Sequence, residues 1–335
     1  MSPRHSRPSL LAAFASLTLA VALAGCGPTP GASGSAASPG GSGTAACATA
    51  PTPPDDLAGW NQAAASDVLP VLINGAGQVV CGKNRILFTL QKEDGTPVGA
   101  PDRTASIAFF NLGRDPSKPI ASAEGTFVWA IKDAVGIYVA NVSFPEAGQY
   151  GAEITTAKAG GTPEALRLRF DVQPGTTVIG VGDKAPASKT PTLADVGGDA
   201  SHISTDANPD PAFYETSVDL AVAKHEPFVV IFATPKFCTS RQCGPTLDSI
   251  KPYVAKYPSV TFINVEPYKL KLVDGVLQAD TDSTGALQAT SVTTDEWHLL
   301  TEPVVYVVNR DGIVTAQFDL IFSDAELTAA LDAVK

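Results

Sequence analysis

Two cysteines separated by four residues are the strongest chemical signal in the sequence. Residues 228–233 form a continuous apolar run, which predicts a strand buried on both faces, and the chain then reaches Cys238 and Cys243. Apolar residues at helical spacing follow, namely Leu247, Ile250 and Val254. A cysteine at the start of a helix meets unpaired backbone N–H groups and the positive end of the helix dipole, which favour thiolate over thiol. We therefore expect a redox-active pair here, with a fixed structural disulfide or a metal site as alternatives.

Composition limits the classes of protein to which this chain can belong. Its 335 residues are 44% hydrophobic and 17% charged, which is typical of folded domains and not of disordered chains. The formal net charge of −11 repels polyanions, so nucleic acid is not an expected partner. The length predicts about two domains after a leader.

The first 25 residues predict a secretory signal, because Arg4 and Arg7 precede a short apolar stretch. Residues 23–26, Leu-Ala-Gly-Cys, resemble the lipobox of bacterial lipoproteins, which implies lipidation of Cys26. Residues 26–64 begin with a Gly-, Ser-, Ala- and Pro-rich stretch typical of a flexible tether. We expect an envelope protein, lipid-anchored to the membrane with its folded parts outside the cytoplasm.

Outside the cytoplasm disulfides are permitted, and four cysteines remain after Cys26. Three pairings are possible from the sequence alone. Spacing favours a Cys238–Cys243 pair, which leaves Cys47 with Cys81 in a structural disulfide.

Residues 65–173 have the pattern of an all-β domain. Seven short segments with strand character are separated by turn residues; they are residues 68–73, 85–90, 106–110, 126–130, 136–142, 151–155 and 165–172. Seven strands in about 105 residues favour a β-sandwich. The sequence around Tyr150 resembles the tyrosine corner of immunoglobulin-like domains, which implies an Ig-like architecture.

Residues 174–335, a linker followed by the cysteine segment, resemble thioredoxin-like domains of the redoxin, TlpA or SCO type. Besides the strand, cysteines and helix, the resemblance includes Thr301, Glu302 and Pro303 before an apolar strand at residues 304–308. It implies an α/β domain with a central mixed sheet flanked by helices. It also implies a cis Pro303 and a substrate groove formed by residues 301–303.

The spacing of the two cysteines departs from that family, whose redox cysteines have two residues between them. Aligning Cys243 or Cys238 with the attacking cysteine is equally possible, so the sequence leaves the nucleophile open. SCO-type copper-delivery proteins use two cysteines and a distant histidine. A copper site formed by Cys238, Cys243 and His298 is therefore an alternative to a site without a cofactor.

The predicted function is that of a membrane-anchored thiol–disulfide oxidoreductase acting through Cys238 and Cys243. Its partners would be thiols or disulfides of exported proteins and a second redox protein. The alternatives are an SCO-like copper-binding lipoprotein and a non-catalytic scaffold whose Cys238–Cys243 disulfide is only structural.

Overall fold

The structure is a computed structural model that describes residues 47–60, 66–74 and 79–335. The residues described are mostly β, with 37% in strands and 16% in helices. The strands are β1 (Leu69–Leu72), β2 (Gly82–Gln91), β3 (Arg103–Asn111), β4 (Pro119–Glu124), β5 (Thr126–Ile131), β6 (Val135–Phe144), β7 (Gly148–Lys158), β8 (Glu164–Val172), β9 (Phe228–Phe232), β10 (Thr261–Val265), β11 (Leu270–Val273), β12 (Val276–Ala279), β13 (Val304–Val308) and β14 (Val314–Asp319). The α-helices are α1 (Val218–Ala223), α2 (Cys243–Lys256) and α3 (Asp324–Asp332). Among the residues described, no helix is long and apolar enough to cross a membrane.

Strands β1 to β8 form a β-sandwich, as the strand pattern predicts. One sheet has the order β1-β2-β6-β5 and the other β4-β3-β7-β8, with antiparallel pairing throughout. Alternate side chains of both sheets meet in one core, which includes Ile86, Phe88, Phe109, Tyr138 and Ile154. Each fully buried aliphatic or aromatic side chain stabilises the fold by about 1.5–3 kcal/mol.

Each of the seven predicted strands is present, and β4 is an additional one. Strand β4 is an edge strand that begins at Pro119, and its side chains are half-buried or exposed. An edge strand can begin with proline because its N–H groups need no partner on the open side. Since few of its side chains enter the core, β4 lacks the apolar alternation by which strands are recognised in sequence.

The tyrosine corner is present at the start of β7. The buried Tyr150 hydroxyl donates to the backbone carbonyl of Glu146 at 3.0 Å, and the side-chain amide of Asn111 donates to the Tyr150 oxygen at 3.1 Å. Burial raises the pKa of Tyr150, so its hydroxyl stays protonated and able to donate. These bonds fix the turn at which the chain enters β7.

Residues 174–335 form a second region, here called the mixed-sheet region. Strand β9 pairs in parallel with β10 and antiparallel with β13, and β14 completes the order β10-β9-β13-β14. Every residue of β9 and β13 is buried, because apolar clusters cover both faces of this sheet. Helices α2 and α3 contribute to one cluster, and α1 and Trp297 to the other.

The segment 274–294 contains part of a hairpin and the start of a short helical turn. It holds the turn and second strand of the β11–β12 hairpin, whose turn residues Asp274 and Gly275 have φ of 50° and 75°. A short helical turn, Val292–Glu296, follows. An Asp-Gly pair favours a two-residue hairpin turn because both residues tolerate positive φ. The Asp274–Gly275 pair is therefore a hairpin signal in the sequence.

Candidate functional site

The candidate site is the disulfide between Cys238 and Cys243. Cys238 lies in the loop that leaves the carboxyl end of β9, and Cys243 is the first residue of α2. The two sulfurs differ in accessibility, because Cys243 is fully buried in the core at the start of α2 and Cys238 is only half-buried. A reagent or substrate approaching from solvent therefore meets Cys238.

One backbone donor and one hydroxyl oxygen lie next to the Cys238 sulfur. The backbone N–H of Cys243 donates to Cys238 Sγ at 3.3 Å, and the hydroxyl oxygen of Ser240 lies 3.3 Å from the same sulfur. The N–H belongs to the first turn of α2, where backbone donors have no partner within the helix. In the reduced state this arrangement would favour a thiolate on Cys238, because a helix N-terminus stabilises negative charge.

The loop between the two cysteines is held by Glu302, a buried residue beside Pro303. The backbone N–H and the hydroxyl of Thr239 donate to Glu302 Oε1 at 3.2 and 3.0 Å. The Ser240 hydroxyl donates to the Glu302 backbone carbonyl at 3.0 Å. Glu302 therefore joins the cysteine loop to the start of β13 through both its side chain and its main chain.

Tyr268 closes this network from the other side. Its hydroxyl donates to Glu302 Oε2 at 3.0 Å. Burial and the neighbouring Glu302 carboxylate raise the pKa of Tyr268 to about 12. The phenol is therefore protonated at physiological pH and remains a donor to the carboxylate.

A second set of polar contacts supports the loop on the side of Lys236. The backbone N–H of Lys236 donates to the hydroxyl oxygen of Thr205 at 3.2 Å, and the N–H and hydroxyl of Thr205 donate to Glu266 Oε1 at 2.6 and 2.7 Å. Burial raises the pKa of Glu266. Its second oxygen, Oε2, is buried and has no hydrogen-bond partner among the residues described.

Of the three predicted groove residues, Glu302 is the one that contacts the cysteine loop. The Glu302–Pro303 peptide bond is cis, as the thioredoxin-like resemblance implied. Pro303 is buried and its carbonyl accepts a hydrogen bond from Leu320 N–H at 2.8 Å. Thr301 is half-buried and precedes this contact.

The copper alternative lacks a ligand set in the structure. His298 is half-buried, with a φ of 51°, in the segment after Trp297. In the described part of the chain no three His, Cys, Asp or Glu side chains form a group that could hold a metal ion. The residues Cys238, Cys243 and His298 therefore do not form a copper-ligating group in this arrangement.

Two of the remaining cysteines are bonded to each other. Cys47 and Cys81 form a disulfide across 34 residues of sequence. The segment that follows Cys47 lies on the sandwich, since Ala50 N–H donates to the Ala147 carbonyl at 2.8 Å. Cys26, the predicted lipidation site, lies outside the described residues.

Three residues of the site were not identified from the sequence: Thr239, Ser240 and Tyr268. The first two lie between the cysteines, so their hydroxyl groups in a short loop were a usable signal. Tyr268 is 34 residues from Glu302. Nothing in the local sequence indicates that contact, because it depends on how β10 and β13 are placed in the sheet.

Comparisons with known proteins give only distant structural similarity. No family model and no curated protein matches the chain. A DUF4426 family protein from Pseudomonas aeruginosa is 14% identical, with a TM-score of 0.24 over 34% of this chain and 99% of its own. The Lin-41 filamin domain is 15% identical, with a TM-score of 0.20 over 32% and 93%. The PmoD soluble domain from a Methylocystis species is 13% identical, with a TM-score of 0.19 over 31% and 88%.

The secondary structure corrects the family expected for residues 174–335. The residues described are mostly β with few helices, and no family model matches the chain. The assignment to the thioredoxin-like, redoxin, TlpA or SCO-like family is therefore wrong. The motifs behind it are local, since a cysteine after a buried strand and a proline before another specify a strand end and a loop. Such a local arrangement does not specify a family.

Proposed function

We propose that the protein exchanges thiols and disulfides through the Cys238–Cys243 pair. The observation that supports this most is the asymmetry of the pair. One sulfur is accessible and accepts a backbone N–H from the start of a helix, while its partner is buried directly behind it. A disulfide serving only as a staple requires neither an accessible sulfur nor a donor directed at it.

Accessibility makes Cys238 the attacking residue and Cys243 the resolving one. The reduced Cys238 thiolate is stabilised by Cys243 N–H and can be approached from solvent. Cys243 is fully buried, so it reaches only the neighbouring Cys238 sulfur. This assignment chooses between the two possibilities that the sequence leaves open.

The exchange balances in two steps. The Cys238 thiolate attacks one sulfur of a substrate disulfide, forming a mixed disulfide, and the other substrate sulfur leaves as a thiolate. The Cys243 thiolate then attacks the Cys238 sulfur, which releases the second substrate thiolate and restores the Cys238–Cys243 disulfide. The substrate gains two electrons and the protein loses two. A dithiol protein or a glutathione-type thiol would return them, and the reverse sequence oxidises a substrate.

The proposed setting is the cell envelope, with the protein anchored through lipid on Cys26. The two disulfides support an oxidising compartment, because disulfides persist mainly outside the cytoplasm. The proposed partners are thiols or disulfides of exported proteins and a redox partner protein.

Single cysteine variants of the full chain test the function. With a disulfide-containing peptide as substrate, Cys243→Ser is expected to accumulate a mixed disulfide on Cys238, seen by mass after acid quenching. Cys238→Ser should form none. If Cys238→Ser traps the peptide and Cys243→Ser does not, the roles of the two cysteines are reversed.

A redox titration decides between exchange and a permanent staple. The chain is equilibrated in graded glutathione buffers, and alkylated Cys238 and Cys243 are counted by mass. A reduction potential well above about −300 mV indicates a pair labile enough for exchange. A pair that stays oxidised far below that value contradicts the proposal. The matched control is the Cys47–Cys81 disulfide in the same sample, which is expected to remain oxidised.

A further inference from the structure

The outer face of one sandwich sheet is covered by residues of the mixed-sheet region. Leu87 of β2 and Val139 of β6 point away from the sandwich core, yet they are 0% and 4% exposed. They form a cluster with Ile321 and the half-buried Leu320. The sheet β1-β2-β6-β5 is therefore buried on both sides at this point, and its second cover is the chain immediately after β14.

A charged contact lies beside this apolar cluster. Arg85 of β2 binds Glu326 of α3 with two parallel hydrogen bonds, Nε to Oε1 at 2.7 Å and Nη2 to Oε2 at 3.1 Å. The Arg85 guanidinium also lies over the Phe318 ring, 5.6 Å from its centroid. A planar bidentate pair restricts orientation as well as distance. The sandwich thus holds residues 318–326 at several points.

The segment that covers the sheet is hydrogen-bonded to both sides of the disulfide site. Leu320 N–H donates to the Pro303 carbonyl at 2.8 Å, and the Thr246 hydroxyl donates to the Leu320 carbonyl at 3.3 Å. Leu320 has a φ of 60°, a left-handed conformation that a leucine adopts only when its surroundings hold it. We call Leu320 and Ile321 the corner.

We propose that the sandwich positions the reactive cysteine pair through this corner. The inference rests on the proposed exchange function and assigns Thr246 and Ile321 as positioning residues. Thr246 lies in the first turn of α2, three residues after Cys243. The corner therefore sets where α2 begins, and with it the distance from Cys243 N–H to Cys238 Sγ. Because a hydrogen bond weakens steeply with distance and angle, a small shift of the helix start changes thiolate stabilisation.

The test uses the full chain with three changes at the corner. Thr246→Val removes the hydroxyl at nearly constant volume, Thr246→Ser restores it, and Ile321→Ala removes the apolar contact with the sandwich. The equilibrium constant of the Cys238–Cys243 pair against dithiothreitol is measured, followed by the alkylation rate of reduced Cys238 as a function of pH. Thr246→Val and Ile321→Ala are expected to change the equilibrium constant at least about fivefold, the lower end of ordinary coupling between two sites. They should also shift the pH profile of alkylation, and Thr246→Ser should restore both.

The matched control is Leu166→Ala, which removes a buried side chain from the sandwich core away from the corner. It lowers stability but should leave the equilibrium constant within about twofold of the parent, below the range of ordinary site coupling. If Leu166→Ala and Ile321→Ala change the pair equally, or if neither corner variant changes it beyond twofold, the positioning role is wrong.

Failure of this inference and failure of the proposed function give different results. If the parent protein reduces no substrate disulfide while the equilibrium constant against dithiothreitol still shifts in the corner variants, the proposed function is wrong and the positioning role stands. If dithiothreitol does not reduce the pair at all, amide hydrogen exchange at Leu247, in the first turns of α2, decides. Faster exchange in Ile321→Ala than in Leu166→Ala supports the corner, and equal exchange contradicts it.

Discussion

The two disulfides of this protein occupy different physical settings. The Cys47–Cys81 bond closes 34 residues and ties the segment after Cys47 to the edge of the sandwich. The Cys238–Cys243 bond closes only five residues, at a strand end and a helix start, where Cys243 N–H and the Ser240 hydroxyl lie at one sulfur. Since cross-linking stabilises mainly by restricting the unfolded chain, the longer loop contributes more to stability. The comparison contrasts a disulfide suited to stability with one whose surroundings fit the exchange that we propose.

The largest expected effect is on stability, from removal of the sandwich disulfide. Cys47→Ala combined with Cys81→Ala should lower the free energy of unfolding by about 4 kcal/mol, because a 34-residue loop regains its freedom. Denaturant unfolding measures the loss. Peptide exchange by the folded variant should equal that of the parent. The paired variant Cys238→Ala with Cys243→Ala should lose only about 2 kcal/mol, and a larger loss in this second pair would reverse the comparison.

A smaller effect is expected from Glu302→Gln beside the Cys238–Cys243 pair. The change replaces charge-assisted bonds from Thr239 and Tyr268 with neutral ones, at a cost of about 1–2 kcal/mol in the free energy of unfolding. Loss of the negative charge should also lower the pKa of Tyr268 from about 12, although burial, its larger cause, remains. Alkylation of reduced Cys238 is expected to become faster because the loop is held less firmly. Unchanged alkylation, together with an unchanged Tyr268 titration followed by ultraviolet absorbance, would contradict this role.

In the sandwich, Tyr150→Phe is expected to change stability without affecting the cysteine pair. The variant loses the hydroxyl that donates to the Glu146 carbonyl and accepts from Asn111, which costs about 1 kcal/mol. Thermal unfolding measures it, with Tyr257→Phe as the control, since that hydroxyl contacts Asp332 near the surface. Equal losses in the two variants would show that the hydrogen bonds of the tyrosine corner stabilise the fold no more than a bond near the surface does.

The smallest expected effect depends on pH and concerns Glu266. Burial raises the pKa of this carboxyl in the folded chain, so folding favours the protonated form. Its contribution to stability is therefore full below about pH 4.3, the ordinary value for glutamate, and is lost as the pH rises through the raised value. Glu266→Gln keeps an acceptor for Thr205 and should gain under about 1 kcal/mol relative to the parent at pH 8. A gain of the same size at pH 4 would contradict the assignment.

Much of the fold could be predicted from short-range patterns. Seven strands of the sandwich follow from apolar alternation and turn residues, and Tyr150 marks the tyrosine corner at the start of β7. Ser323 is the N-cap of α3, where its hydroxyl accepts from Glu326 N–H at 3.3 Å. In these cases the determining interactions lie within a few residues of one another, so the local sequence contains them.

Strands β2 and β6 contain a further signal in their sequences. Residues 86–88 and 137–139 are continuous apolar runs within strands otherwise expected to alternate, and Leu87 and Val139 are the side chains that face outward. An apolar residue on the outer face of a sandwich strand predicts that something covers that face. The sequence could therefore have indicated a covered sheet, although not that Ile321 covers it.

By itself the sequence determined the strands, the turns, the most favoured cysteine pairing and a cysteine at the start of a helix, because each depends on periodicity or spacing over a few residues. The tertiary structure decided the rest. It selected Cys238 as the accessible sulfur, placed Glu302 and Tyr268 on the cysteine loop, and joined Arg85 to Glu326 across 241 residues of sequence. Exposure and hydrogen bonding between distant segments depend on how the sheets pack, and no local pattern contains that information.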